Sequence, residues 1–303
     1  MHYRWLSLLG NFEEVGNKLI FKGGINKEDE GTRPEIGNFI SDQRFGGGSI
    51  SATVKFTGNP KEHQKEGSEI IFYYDHATKF FATAGINSHD QFAIRYFTNQ
   101  WHYIARTGNP VAFDRNKTYD LEVIVKGSRV KLTVNGVDTL EGELPISLQT
   151  SQVGIWCMGE CDIEVTNYKV EAVRPTAFVV MQFSPPFNDV YFEVIKSVCN
   201  KSGLDVVRID ERSGPGLIVE DISQQIREAK IVIADISPTN ANVYYEVGFA
   251  HALKKPTILL AERTTKLPFD VSNHRTIFYD NSIAGKSQLE STLENHIRAI
   301  LNV

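Results

Sequence analysis

From the first residues to about Glu171, apolar and polar positions alternate over short runs separated by Gly, Asn and Asp, which is the pattern of half-buried strands. The clearest stretch begins at Asp120: Leu121, Val123 and Val125 share one face, Gly127-Ser128 turns the chain, and Val130, Leu132 and Val134 return. Asn135-Gly136 then predicts a two-residue hairpin, because both central positions of a type I′ turn need positive φ. A meander of three strands is expected there. Further runs over 49–56, 69–74, 92–96, 152–156 and 162–170 supply enough strands for two packed antiparallel sheets, and no helical period interrupts them.

The period changes at Val173-Arg174-Pro175-Thr176, which divides the chain into expected domains 1–174 and 175–303. Ala177 to Phe183 (AFVVMQF) is a continuous apolar run, as found in strands buried on both faces of a parallel sheet. Strands expected at 204–209, 230–236, 256–261 and 276–279 alternate with helices expected at 187–201, 217–229, 242–253 and 286–301. That alternation calls for right-handed crossovers and a parallel sheet, for which the flavodoxin-like order 2-1-3-4-5 is the economical choice. A ligand of such a sheet sits beyond the carboxyl ends of the strands, at the switch point between strands 1 and 3. The residues after Phe183, Ile209 and Ile236 are therefore the ones to inspect.

The third strand runs into ADISPTNANVYYEVGFAHALKKPTILL. Asp235 and Ser237 close the strand, Asn240 and Asn242 lie at the turn, and Glu246 falls within the first two turns of the helix, four residues from Asn242 and on its face. A carboxylate near a helix start also has an ordinary use, offsetting the macrodipole. Here its neighbours Tyr244, Tyr245 and Phe249 are apolar, and at Gly248 the missing side chain is expected to let a strand or ligand come close. His251 lies roughly 140° around the helix from Glu246 and is expected to pack elsewhere. Met181, Gln182 and Phe183 would form the opposite rim. Asp210, Glu211 and Arg212 follow the second strand, with Arg212 either a phosphate partner or part of a solvated charge cluster. Gly214-Pro215-Gly216 lacks the Gly-Lys-Ser/Thr ending of a phosphate-wrapping loop, which argues against triphosphate hydrolysis.

Two resemblances follow from these residues. YDLEVIVKGSRVKLTVNGVDTLEGEL and then VGIWCMGECDIEVTNYKVE resemble the closing strands of the concanavalin A-like (laminin G-like) jelly roll, over roughly residues 1–172. The segment IADISPTNANVYYEVGFAHALKKPTILL, with FVVMQF upstream as first strand, resembles the nucleoside 2-deoxyribosyltransferase-like and bacterial TIR-like domains, over about residues 176–303. The expected fold is thus a β-sandwich followed by a TIR-like parallel α/β sheet. The second resemblance implies that Glu246 attacks or stabilises the anomeric carbon of a nucleoside or of NAD, in an N-glycosidase of bacterial defence whose other domain senses a signal or drives assembly. Asp235 then becomes a candidate to hold ribose hydroxyls or the base, with Ser237, Asn240 and Asn242 as hydrogen-bonding partners and Tyr245 as a stacking or wall residue. Met181, Gln182, Phe183 and Asp210 complete the expected substrate contacts. NAD enters as substrate, and no separate cofactor is expected.

Composition narrows the alternatives. A net charge of −5 over 303 residues argues against a protein that lives on the nucleic-acid backbone. Cys157, Cys161 and Cys199 are few and odd in number, as in a reducing compartment, and the Cys157–Cys161 spacing has no second ligand pair for zinc. No secretory leader is recognisable and no run approaches the ~20 apolar residues of a membrane span, so a cytoplasmic protein is expected. Two other functions fit the same sequence: a nucleoside deoxyribosyltransferase or hydrolase using Glu246, and a non-enzymatic nucleotide- or carbohydrate-binding protein. In the last, Tyr73, Tyr74, Trp101, Tyr103 and Trp156 would stack on sugars instead of filling a core. A homo-oligomer is expected, with the long loop from Glu262 to Arg275 walling a neighbour's pocket or folding over its own.

Overall fold

The computed structural model describes residues 3–28, 31–59, 65–87, 89, 91–109, 114, 117–146, 148–211 and 218–301. Arg212 and Gly214-Pro215-Gly216 lie outside the described residues. The chain forms two compact units. Met1–Val125, Arg129–Leu144 and Thr150–Val173 make up the first, and Arg174–Val303 is the body of the second.

The first unit is a sandwich of two antiparallel sheets. Among the described residues, one sheet runs in the order β1 (Trp5–Leu9), β5 (Gly31–Phe45), β14 (Ser151–Gly159), β7 (Gly67–Tyr74), β8 (Phe81–Ile86), β9 (Phe92–Phe97), β10 (Trp101–Thr107), with β4 (Ile25–Glu28) paired to β5. The other runs β13 (Val137–Glu143), β12 (Arg129–Val134), β11 (Thr118–Lys126), β6 (Gly48–Phe56), β15 (Ile163–Ala172), β3 (Lys18–Phe21), β2 (Phe12–Val15). Alternation decides which side chains enter the core: Ile50, Ala52, Val54 and Phe56 of β6 and Tyr119, Leu121, Val123 and Val125 of β11 are all buried. Each large apolar side chain so buried contributes about 1.5–3 kcal/mol. Asn135 and Gly136 both take positive φ, and Val134 pairs with Val137 across the two-residue turn.

The strands before Ser49 escape the alternation pattern. β5 is 15 residues long and contains Pro34 and Gly37, residues that ordinarily mark breaks. Both have a place. Pro34 pairs only with the short β4, and Gly37 leaves the space into which the rings of Phe12 and Phe21 pack, 2.7 and 2.9 Å from where a Cβ would stand.

The second unit is a parallel sheet, β17 (Asp205–Arg208), β16 (Thr176–Val180), β18 (Ile231–Asp235), β19 (Thr257–Glu262), β20 (Thr276–Tyr279). The order is second, first, third, fourth, fifth, which is flavodoxin-like. Helical segments α1 (Phe187–Val190), a π turn (Tyr191–Ile195) and α2 (Lys196–Lys201) run on without a break; α3 (Ile218–Glu228), α4 (Ala241–Ala252), α5 (Phe269–Ser272) and α6 (Ile283–Leu301) follow. The apolar run of β16 divides between two cores. Ala177, Val179 and Met181 join Tyr191, Val194, Leu293 and Ile297, while Phe178 and Val180 join Ile226, Val243, Val247 and Ala250 on the other face. Burial on both faces is why this strand has no alternation to read. Among the described residues no helix is long and apolar enough to cross a membrane.

Candidate functional site

At the carboxyl ends of β16 and β17 the chain opens a cleft of about 370 Å³, lined by Met181, Gln182, Phe183, Ile209, Val219, Ile222, Asn240, Asn242, Val243, Tyr245 and Glu246. One wall is the first turns of α4. Asn240 is the N-cap in an extended conformation, and its Oδ1 accepts the Asn242 N–H at 2.9 Å. A capped start fixes the register of the helix, which places Asn242 and Glu246, four residues apart, on the cleft. The opposite wall is the chain leaving β16. Gln182 joins the walls, accepting from Asn240 Nδ2 at 3.4 Å and donating to Ser184 Oγ at 2.9 Å.

Glu246 is half-buried, and among the described residues it has no hydrogen-bond or ion-pair partner. Loss of water without replacement raises the carboxyl pKa to about 7. A carboxyl poised near neutrality on a cleft wall accepts a proton or supports a cationic centre with equal facility. It is the one carboxylate on a wall otherwise made of amides, a phenol and apolar side chains, counted among the described residues.

Three of the expected contacts stand elsewhere. Asp235 is fully buried, does not line the cleft, and has both oxygens engaged: Oδ2 accepts the Tyr279 hydroxyl at 2.7 Å and Oδ1 the Ser237 N–H at 3.0 Å. Burial outweighs these donors and pushes its pKa up to about 7, while Tyr279 is raised by burial and by the carboxylate. Ser237 is likewise buried, with its Oγ accepting the Glu262 N–H at 2.7 Å and lying 2.9 Å from Thr265 Oγ1. These two residues tie the turn after β18 to the ends of β19 and β20. Asp210 leaves the cleft to Ile209 and binds Arg208 through both oxygens, at 2.6 and 2.7 Å.

Gly248 is exposed, with nothing within 4 Å of an added Cβ, so no strand packs against its missing side chain among the described residues. The loop from Glu262 to Arg275 does not line the cleft among the described residues; Leu267 and Val271 pack into their own core, and Phe269 stands 81% exposed. His251 stacks on His274 with ring centroids 4.4 Å apart, away from the cleft lining. In the sandwich, Tyr73 and Trp156 are buried rather than free to stack on a sugar. Among the described residues no group of His, Cys, Asp and Glu could hold a metal ion.

Sequence reasoning missed the apolar contribution of α3, Val219 and Ile222, whose 3–4 spacing marks an amphipathic helix face. It also missed Arg208, which gives no sign in the sequence that it is buried.

No protein-family model matches the chain, and none of the curated proteins compared with it matches. Solved structures similar to it include the carbohydrate-binding module CBM66 of Bacillus subtilis, at 14% identity and a TM-score of 0.43, covering 54% of this chain and 92% of that one. A β-glucanase of Bacillus licheniformis is 13% identical with a TM-score of 0.39, covering 55% and 92%. The TIR domain of the Toll-related receptor TRR-2 of Hydra magnipapillata is 15% identical with a TM-score of 0.34, covering 41% and 96%. The fold described above rests on strand order and register, independently of these likenesses.

Proposed function

We propose that the protein is an N-glycosidase that cleaves the base–ribose bond of NAD or a related nucleotide, with Glu246 as its catalytic carboxylate. The observation that carries this reading is a half-buried glutamate without a partner, raised to about 7 by burial and facing a cleft of 370 Å³. Cleavage of an N-glycosidic bond passes through an oxocarbenium-like state, which a desolvated carboxylate stabilises electrostatically or captures covalently. Water then completes the reaction at the anomeric carbon. The pyridinium of NAD leaves as a neutral base and needs no acid. A neutral nucleoside base would need a proton donor, and the cleft offers no second carboxyl among the described residues. Gln182, Asn240 and Asn242 supply neutral donors and acceptors for the ribose and the base, and the apolar wall excludes water.

The reading extends to an assembly in which a second copy completes the cleft, with exposed Phe269 and Tyr245 as contact residues. The sandwich then serves as sensor or assembly platform in a regulated, cytoplasmic defence effector. Incubation with NAD and with a nucleoside panel, followed by detection of free base, tests the reading. Nicotinamide released from NAD supports it. Release only from nucleosides turns it toward the deoxyribosyltransferase or nucleoside-hydrolase alternative, and no release from any of them removes it.

A further inference from the structure

The strand beside β16 ends on a buried cation. Arg208 is the last residue of β17 and 3% exposed. Its Nε and Nη2 grip the two oxygens of Asp210 at 2.6 and 2.7 Å; Nη1 donates to Asn188 Oδ1 at 3.0 Å and lies 4.0 Å from Met181 Sδ. The guanidinium carbon sits 4.1 Å from the ring centre of Tyr191, 5.1 Å from that of Phe183 and 5.2 Å from that of Phe192. The ends of β16 and β17, α1 and the π turn thus converge on one side chain. Two of its neighbours, Met181 and Phe183, line the cleft that Glu246 shares.

A buried ion pair is a poor source of stability, because desolvation consumes most of the attraction and apolar replacements often do as well. What a guanidinium offers beyond an apolar residue is geometry: a planar fork locked on one carboxylate, with its faces free to stack on rings. Phe183 needs such a brace, since it is 44% exposed on a loop and has little core around it. We infer that Arg208, clamped by Asp210, is a positioning residue that fixes the Met181–Phe183 wall of the cleft and thereby sets how tightly the base is gripped. In its kinetic part this inference rests on the glycosidase reading above.

Arg208→Lys tests it, because lysine keeps a cation but cannot form the fork. Asp210→Asn, which preserves shape and removes the clamping charge, is the second variant. The Met181 methyl signal in ¹³C-methyl-methionine NMR reports the wall directly, and initial rates with NAD report the grip. The result expected for both variants is a shifted or split Met181 signal and a KM about tenfold higher, with kcat within about twofold. That split signifies lost binding common to ground and transition states; a merely structural role would lower the amount of folded enzyme and leave KM unchanged. A wild-type KM in Arg208→Lys overturns the inference whatever the signal does. Should the wild-type protein release no base at all, the glycosidase reading fails separately, and an unmoved Met181 signal in both variants then overturns the role of Arg208.

Discussion

Two glutamates, one in each unit, show how differently a fold can treat a carboxylate. Glu69 stands on β7 of the sandwich, fully buried, and every side of it is answered. Arg95 pairs with it at 2.7 and 2.9 Å, Asn87 Nδ2 donates at 2.9 Å and Thr83 Oγ1 also donates. The residues come from neighbouring strands in register: Thr83 lies opposite Arg95, and Trp156 opposite Glu69. Arg95 in turn lies 3.6 Å from the ring centre of Trp101 and 4.7 Å from that of Trp156. Glu246 has the opposite treatment, withdrawn partly from water and given nothing in exchange. Partners make a buried carboxylate into architecture. Their absence beside a cleft leaves its charge available to a ligand, at a cost in stability that a structural role would not repay.

The comparison is broken most severely by removing the charge at the cleft. Glu246→Gln is expected to lower base release from NAD on the order of 10³-fold or more while the fold persists, since the amide keeps the shape and no partner is orphaned. Retained turnover in this variant would return Glu246 to the ordinary role of a helix-start residue. Glu69→Ala has the reverse signature. It strands Arg95 in an apolar setting and is expected to cost the sandwich about 3–5 kcal/mol, measured by urea unfolding.

Asp235 sharpens the contrast, being buried and partnered yet still raised to about 7 by burial. Its folded pKa lies above the unfolded value of 3.8, so the folded state holds the extra proton between about pH 4 and pH 7. Stability from this group is therefore present at low pH and is lost as pH rises toward 7, by about 2–4 kcal/mol. Asp235→Asn should flatten that decline in unfolding curves recorded from pH 4 to pH 8; an unchanged slope would mean the carboxyl is not the group responsible. The smallest effect is expected at Lys230, buried with an Nζ that has no hydrogen-bond partner among the described residues and a pKa lowered by burial to about 8. Its unfolded state binds the extra proton between about pH 8 and pH 10.5, so stability rises with pH over that window. Lys230→Met should stabilise the protein by about 1–3 kcal/mol at pH 7 and leave base release unchanged, because an unpaired charge away from a cleft is only a cost.

Much of this was legible in the sequence where local chemistry dictates structure. Alternation placed β6, β11 and β12, Asn135-Gly136 marked its hairpin, and the unbroken apolar run of β16 announced a strand buried on both sides. The four-residue spacing of Asn242 and Glu246 in the helix after β18 put both on one face, while the Asn240 cap shows only in the structure. What could not be read depends on long-range company. Asp235, a candidate for ribose hydroxyls or the base in the sequence, is held in the structure by the Tyr279 hydroxyl, 44 residues away. Asp210 likewise looks free until Arg208 turns back onto it. The strands before β6 were hidden because Pro34, paired with β4, and Gly37, packed under Phe12 and Phe21, lie within β5 rather than breaking it.

The central claim is that Glu246 acts as a desolvated, unpaired carboxylate at the bond being cleaved, and the pH profile of base release from NAD by the wild-type protein tests it most directly. The carboxylate must be ionised to work, so kcat/KM is expected to rise with pH through a midpoint near 7, following the value to which burial raises this group. A rising limb near pH 4.5, the ordinary value for a glutamate in water, or a profile with no limb at all, would contradict it.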